Sequence, residues 1–382
     1  MSKVIVFLAD GTWNGIGVDS DRDGVPEATN VLKLYHNLAG DESIDSFSLE
    51  NESERVAMNA DRNILQIAKY LHGVGDSDNP LRKMLAGAFG AGVISRIVRG
   101  YTFISRNYAP GDRIIIIGFS RGAYTARALG GMIAKDGLLD YNALNITTKA
   151  EAYQYGLYVW ASYREKRVKS LAQRAINLIW KKIIGLASPV HTEQMIRDVS
   201  IHAIGVWDTV GAMGIPVYIT ESDDKSSRMD LFRFADTDLS DKVANGFHAL
   251  AIDEHRADFE PTPWMPRAGI EQIWFAGAHA DVGGGYEESD LSDLGLQWMS
   301  NKLATHGDGL LFKDPLPILP KGNFAGDIHD SWNALPYKLK PREIRAIPSE
   351  ADVHISVKMR RSSAALGYQP AGLNTWTGRY VE

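Results

Sequence analysis

Four short apolar runs share one design, and that design restricts what this 382-residue chain can fold into. They are Val4 to Ala9, Ile114 to Ile117, Ala203 to Trp207 and Ile273 to Ala278. Each is continuous rather than alternating, and each stops abruptly at a polar residue: Asp10-Gly11-Thr12-Trp13-Asn14, Gly118-Phe119-Ser120, Asp208-Thr209 and His279. A run without polar alternation suits a parallel strand buried on both faces. Helical patterns lie between the runs: Asn30 to Leu38 after Thr29 as N-cap, Leu81 to Asn107, Gly122 to Ala134 and Leu291 to Ala304. Strand–helix alternation predicts an α/β fold with a mostly parallel central sheet flanked by helices. In such sheets the chemistry sits at the carboxyl ends of the strands, where all four runs place their polar residues.

The length fits one α/β domain over 1–382, with a helical insertion or lid at 142–197 and an irregular extension, rich in Pro and Gly, at 307–382. The net charge of −6 gives no global attraction to nucleic acid, so no nucleic-acid partner is expected. The absence of cysteine excludes disulfides, thiolate catalysis and cysteine-ligated zinc. The apolar run at the N-terminus is too short for a signal peptide, and no stretch of about 18 apolar residues exists. The expectation is a protein that is cytoplasmic when made, with export open only to a signal-independent secretion system.

The pentapeptide Gly118-Phe119-Ser120-Arg121-Gly122 is short, but its context is informative. Four isoleucines precede it and a helical pattern follows, the setting in which a serine sits on a sharp turn as a nucleophile. Small residues at 118 and 122 allow strand and helix to approach, and the N–H of Arg121 can face a developing oxyanion. Gly11 and Thr12 can supply a second N–H, with Asp10 fixing their loop. A serine nucleophile needs a base, and the base an orienting carboxylate, in the chain order Ser, Asp or Glu, His. Asp208 and His279 satisfy that order. The rival acids are Asp281 and Asp10. The rival base is His354, in the strand-like segment Asp352 to Val357; His248 and His255 flank Ala251 to Glu254, which reads as a helix.

Taken together these motifs resemble a bacterial α/β-hydrolase family known by its GFSRGA motif and long catalogued as a domain of unknown function. Its members include phospholipases delivered as type VI secretion lipase effectors. Gly118 to Ala123 matches that motif, and Asp10 to Asn14 is similar to the family's DGTWN opening. Gly73-Val74-Gly75, Asp208-Thr209-Val210-Gly211, His248 to Glu254, Gly277 to Tyr286 and His354 to Val357 resemble further family segments in order. The resemblance runs from residue 4 to about 373. It implies an α/β-hydrolase fold, a Ser–Asp–His triad at Ser120, Asp208 and His279, and a membrane phospholipid as substrate. It also implies an immunity or delivery protein as partner.

The expected function is therefore carboxylic-ester hydrolysis through an acyl-enzyme, without cofactor or metal. Alternatives are a soluble esterase on non-lipid esters and a catalytically silent scaffold. A metal-dependent phosphoesterase using Asp10, Asp208, His279 and Asp281 is another. Arg164 to Lys182 carries seven basic residues against Glu165, with apolar residues at helical spacing. This basic amphipathic pattern, with Lys166, Arg167 and Lys169 on its polar side, suits an anionic membrane surface or an ordinary surface helix. Gly87 to Gly92 lacks the lysine of a phosphate-binding loop and reads as close helix packing.

Overall fold

The computed structural model describes residues 2–11, 27–42, 52–73, 89–165, 190–210, 238–306, 309–335 and 337–382. Within them the chain runs β1 (Val4–Ala9), α1 (Asn30–Asn37), β2 (Asp41–Glu42), β3 (Glu52–Met58), β4 (Ile64–Leu71) and α2 (Phe89–Asn107). It continues through β5 (Arg113–Phe119), α3 (Arg121–Asp136), β6 (Leu138–Leu139), α4 (Lys149–Glu165), β7 (Met195–Ile196), β8 (Ile201–Trp207) and β9 (Val243–Ala251). The last elements are β10 (Ile270–Phe275), α5 (His279–Gly283), α6 (Asp290–Thr305), β11 (Asp352–His354), α7 (Ile355–Ser362) and β12 (Tyr380–Val381).

All four apolar runs are strands of one sheet, ordered β12-β11-β10-β9-β8-β5-β1-β4-β3-β2. Pairing is parallel from β12 through β4, and only β3 and β2 run antiparallel. The alternate residues of β1 serve two cores. Ile5, Phe7 and Ala9 face a cluster built with α2 and α3, while Val4, Val6 and Leu8 face one built with α1 and α6. The isoleucines of β5 divide the same way and have no exposed surface. Burying each contributes about 1.5–3 kcal/mol, which a polar residue at any of these four positions would forfeit.

From β1 the chain moves outward to β4, then returns across the sheet to β5 and proceeds to β8, β9 and β10. The order therefore reverses between β1 and β5, the switch point where open α/β sheets hold their ligands. Register puts Ala9 opposite Gly118, and Phe119 opposite Trp207. Asp10, Ser120 and Asp208 follow directly, so all three leave the sheet at one level.

Two expectations need correction. The helix expected over Ala251 to Glu254 does not form: Ala251 ends strand β9, whose residues 248–251 lie between β8 and β10, and 252–254 carry no helix. A short apolar run buried on both faces carries no period, so the run alone could not separate strand from helix. The 307–382 segment is not wholly irregular: β11 and β12 extend the main sheet and α7 packs behind them. These strands have three and two residues, too short for a hydrophobic pattern. At the 142–197 insertion, β6 and β7 pair antiparallel at its base, and α4 packs on α2 at Gly156, beside Val98, Tyr101 and Thr102, while Tyr163 lies against Gly131 of α3. The rest of that region, 166–189, lies outside the described residues, as do Lys166, Arg167 and Lys169. No helix among the described residues is long and apolar enough to cross a membrane.

The close approach of strand and helix around Ser120 depends on two glycines. A Cβ on Gly122 would lie 2.0 Å from the carbonyl oxygen of Ala9, and one on Gly118 would lie 2.3 Å from that of Gly122. Both obstacles are backbone and cannot swing aside. Gly122→Ala is expected to lower the unfolding free energy by about 1–3 kcal/mol or more. Urea denaturation measures it, and an unchanged midpoint would contradict this packing.

Candidate active site

Ser120 ends β5 and caps α3 with φ 56° and ψ −121°. A non-glycine residue held there costs about 1–3 kcal/mol, and such strain collects at functional turns. The position is fixed from outside: the N–H of Ser120 donates to Trp207 O at 3.2 Å. Asp208, on the neighbouring strand end, also has a positive φ, 36°. Its N–H donates to Ala249 O at 2.7 Å.

Asp208 has no exposed surface, so its charge must be met inside the protein. Its Oδ2 lies 2.6 Å from His279 Nδ1. The same oxygen accepts from Arg345 Nη2 at 3.0 Å, while Oδ1 accepts from Arg345 Nη1 at 2.6 Å and from Ala251 N–H at 3.0 Å. Burial alone pushes this carboxyl up. The Arg345 guanidinium and the His279 hydrogen bond outweigh it and hold Asp208 well below the usual carboxylate range.

His279 opens α5, four residues past β10. Its ring lies 4.6 Å from that of Phe119, the residue before Ser120, and 5.0 Å from that of Phe259. Its N–H donates to Glu254 Oε2 at 3.3 Å. With Nδ1 donating to Asp208, the tautomer leaves Nε2 as a proton acceptor, and that atom is buried with no hydrogen-bond partner among the described residues. Burial lowers the imidazole pKa below its usual 6.5, and the Asp208 contact opposes the shift without reversing it. The structure thus brings Ser120, Asp208 and His279 together at the carboxyl ends of β5, β8 and β10.

The other sequence-predicted residues occupy different places. His354 stacks on Phe275 at 4.5 Å, and its Nδ1 is engaged with Ser356. His248 is fully buried on β9; its Nε2 accepts the Thr209 N–H at 3.1 Å, and burial pushes its pKa down to about 3. It fastens the Asp208 turn. Asp281 accepts from Ala278 N–H at 2.8 Å and pairs with His329 Nδ1 at 2.6 Å, so it braces the His279 turn from behind. Asp10 is buried, with one oxygen on Gly11 N–H at 2.6 Å and the other on Thr29 Oγ1 and the Tyr70 hydroxyl. Burial raises its pKa to about 6 against these hydrogen bonds. It holds the loop as expected, but in doing so takes the Gly11 N–H. Thr12 lies outside the described residues. Arg121 begins α3, where first-turn N–H groups lack intrahelical acceptors.

The oxygens of Asp10, Asp208 and Asp281 are thus committed to separate partners. No group of three or more metal-ligating side chains occurs among the described residues. Sequence reasoning missed Arg345, which follows an ordinary-looking Pro341-Arg342-Glu343-Ile344 loop and has no local signal. It also missed Glu254 and Arg96, although Glu254 belongs to a segment already singled out. Glu254 binds Arg256 through Oε1 and Oε2, and Arg96 donates to Asp10 O at 2.6 Å.

A strained serine between parallel strand and helix, with a buried His–Asp pair at other carboxyl ends of the same sheet, defines an α/β-hydrolase-like protein. Residues 3–302 match the family described as the catalytic domain of Tle1-like type VI secretion phospholipase effectors, and the chain belongs to that family. An uncharacterized protein of Saccharomyces cerevisiae, YEL023C, is 28% identical over 273 residues, 69% of this chain and 34% of that protein. The chain therefore spans about a third of that relative's length. Among solved structures, an uncharacterized Pseudomonas aeruginosa protein is 18% identical with a TM-score of 0.45, over 84% of this chain and 48% of that one. A Tle1 effector bound to the VgrG spike of the type 6 secretion system is 15% identical with a TM-score of 0.39, over 75% and 52%.

Because the Asp208 pKa is depressed below 3.8, the stability its ionised form contributes is complete above that pH and is lost as the pH falls further. Asp208→Ala leaves the Arg345 guanidinium buried and uncompensated, and unfolding free energy at neutral pH should fall by about 3–5 kcal/mol. Denaturant titration checks this; a loss below about 1 kcal/mol would rule out a strong pair.

Proposed function

We propose that this protein is a serine phospholipase that cleaves carboxylic esters of membrane glycerophospholipids through an acyl-enzyme. The observation that carries the reading is the His279–Asp208 pair, whose outward nitrogen is buried and has no partner among the described residues, beside the strained Ser120 turn. Membership in a phospholipase effector family supports the substrate class.

In this mechanism His279 Nε2 removes the Ser120 hydroxyl proton as Oγ attacks the ester carbonyl. Asp208 holds the Nδ1–H tautomer and stabilises the imidazolium that forms. The N–H of Arg121 meets the oxyanion; with the Gly11 N–H held by Asp10, Thr12, outside the described residues, is the remaining candidate for a second N–H. The imidazolium protonates the leaving alcohol, and water, deprotonated by His279, releases the fatty acid. Membership in that family supports type VI secretion machinery as the delivery partner and a bilayer as the working surface.

Hydrolysis of a bacterial lipid extract, followed by mass spectrometry, tests the reading. Wild type should release fatty acid and lysolipid, and Ser120→Ala should not. Activity that is abolished by chelation and survives Ser120→Ala would replace it with metal-dependent chemistry. Asp208→Asn should lower kcat by about 10⁴-fold, because the amide favours the wrong His279 tautomer. A base with its pKa below 6.5 stays neutral into mildly acidic solution, so the acid limb of kcat/KM should have its midpoint below pH 6.5. A midpoint above 6.5 would argue against His279 in this environment. Neutralising Lys166, Arg167 and Lys169 should weaken co-sedimentation with anionic liposomes if that segment faces the membrane. Unchanged binding would remove that role.

A further inference from the structure

Arg345 lies outside the family-matching region, in the segment that precedes β11. The segment is fastened at that point: Arg342 bridges antiparallel to Arg256, and Glu343 N–H donates to His255 O at 3.0 Å. Arg345 then grips both Asp208 oxygens, Nη1 on Oδ1 and Nη2 on Oδ2. Its two terminal nitrogens also donate to Ala251 O at 2.8 Å and Phe259 O at 2.7 Å. Ala251 N–H binds Asp208 from the other side, and the Phe259 ring walls the His279 imidazole. One guanidinium therefore ties together the acid, the end of β9 and the wall of the base.

We propose that Arg345 is a positioning residue for the reaction, acting through Asp208 on the orientation and basicity of His279. The inference rests on the Ser120–His279–Asp208 reading. The planar fork leaves the carboxylate no rotational freedom, so Oδ2 presents one direction to Nδ1. Without the fork, a carboxyl this deeply buried would take up a proton more readily and turn about its own axis. Arg345 also draws part of the Asp208 charge away from the imidazolium, which keeps the base neutral at lower pH. Among the other charged and titratable groups around His279, Arg256 also lowers its pKa and Glu254 opposes that shift, but it is Arg345 that grips both Asp208 oxygens. Glu254 binds its backbone N–H and pairs with Arg256; Arg256 lies over the Phe259 and Tyr337 rings; His248 is neutral and holds Thr209.

The alternative is that Arg345 only neutralises a buried charge and contributes stability. Full-length wild type, Arg345→Ala and Arg345→Lys separate the two, with folding followed by circular dichroism. Steady-state kinetics would use a water-soluble short-chain ester across pH. Arg345→Ala should lower kcat by about 100-fold while KM stays near wild type, as expected for lost alignment of reacting groups. Its acid limb should move to higher pH, and added guanidinium should restore part of the rate. Arg345→Lys should fall between, with the acid limb close to wild type. A folded Arg345→Ala with wild-type kcat and pH profile overturns the proposal. So does a loss of kcat with an unmoved acid limb and no response to guanidinium. If Arg345→Ala does not fold, Arg345→Lys decides: wild-type kcat overturns the inference, and lowered kcat at unchanged KM in a folded protein supports it. Wild type that neither hydrolyses the ester nor labels at Ser120 with a fluorophosphonate would instead sink the triad itself.

Discussion

A carboxylate without access to water must find every partner inside the protein, and Asp208 organises this molecule through that requirement. Its partners come from three places apart in the chain: the end of β9, the first residue of α5 and the segment before β11. Each partner has its own reason to be held still. Ala251 belongs to the sheet, His279 is wedged between Phe119 and Phe259, and Arg345 also binds two backbone carbonyls. Removing one member leaves the others with unmet charge in a dry setting, where each costs most.

The Ser120 turn meets a different constraint. There the difficulty is steric and conformational rather than electrostatic. The strand must turn into α3 within one residue while Gly118 and Gly122 bring three stretches of backbone into contact. The positive φ at Ser120 is sustained because β5 is sealed between two hydrophobic cores that cannot shift to relax it. A level register across β1, β5 and β8 then converts separate strand ends into one site.

Much of this was legible in the sequence, and the gaps have physical causes. The four strands were visible because burial on both faces removes polar residues. The α3 start was visible because glycines bracket the turn. The nature of 248–251 was not, since a run buried on all sides loses the period that separates helix from strand. The choice between Asp208, Asp10 and Asp281 was also open, because all are aspartates in tight turns. What separates them is which side chain from elsewhere in the chain arrives: His279 and Arg345 at Asp208, Thr29 and Tyr70 at Asp10, His329 at Asp281.

By itself, then, the sequence determined the class of fold, the strand ends that carry polar residues, and the turn on which Ser120 sits. These depend on local rules: burial pattern, glycine placement and the spacing of strand and helix. Only the tertiary structure decided that His279 rather than His354 meets Asp208, that Asp10 consumes the Gly11 N–H, and that the C-terminal strands join the sheet. Only there does Arg345 appear as a partner, 137 residues from the aspartate it grips. Such a contact leaves no mark on its neighbours in the chain, because the charge that requires it lies on another element.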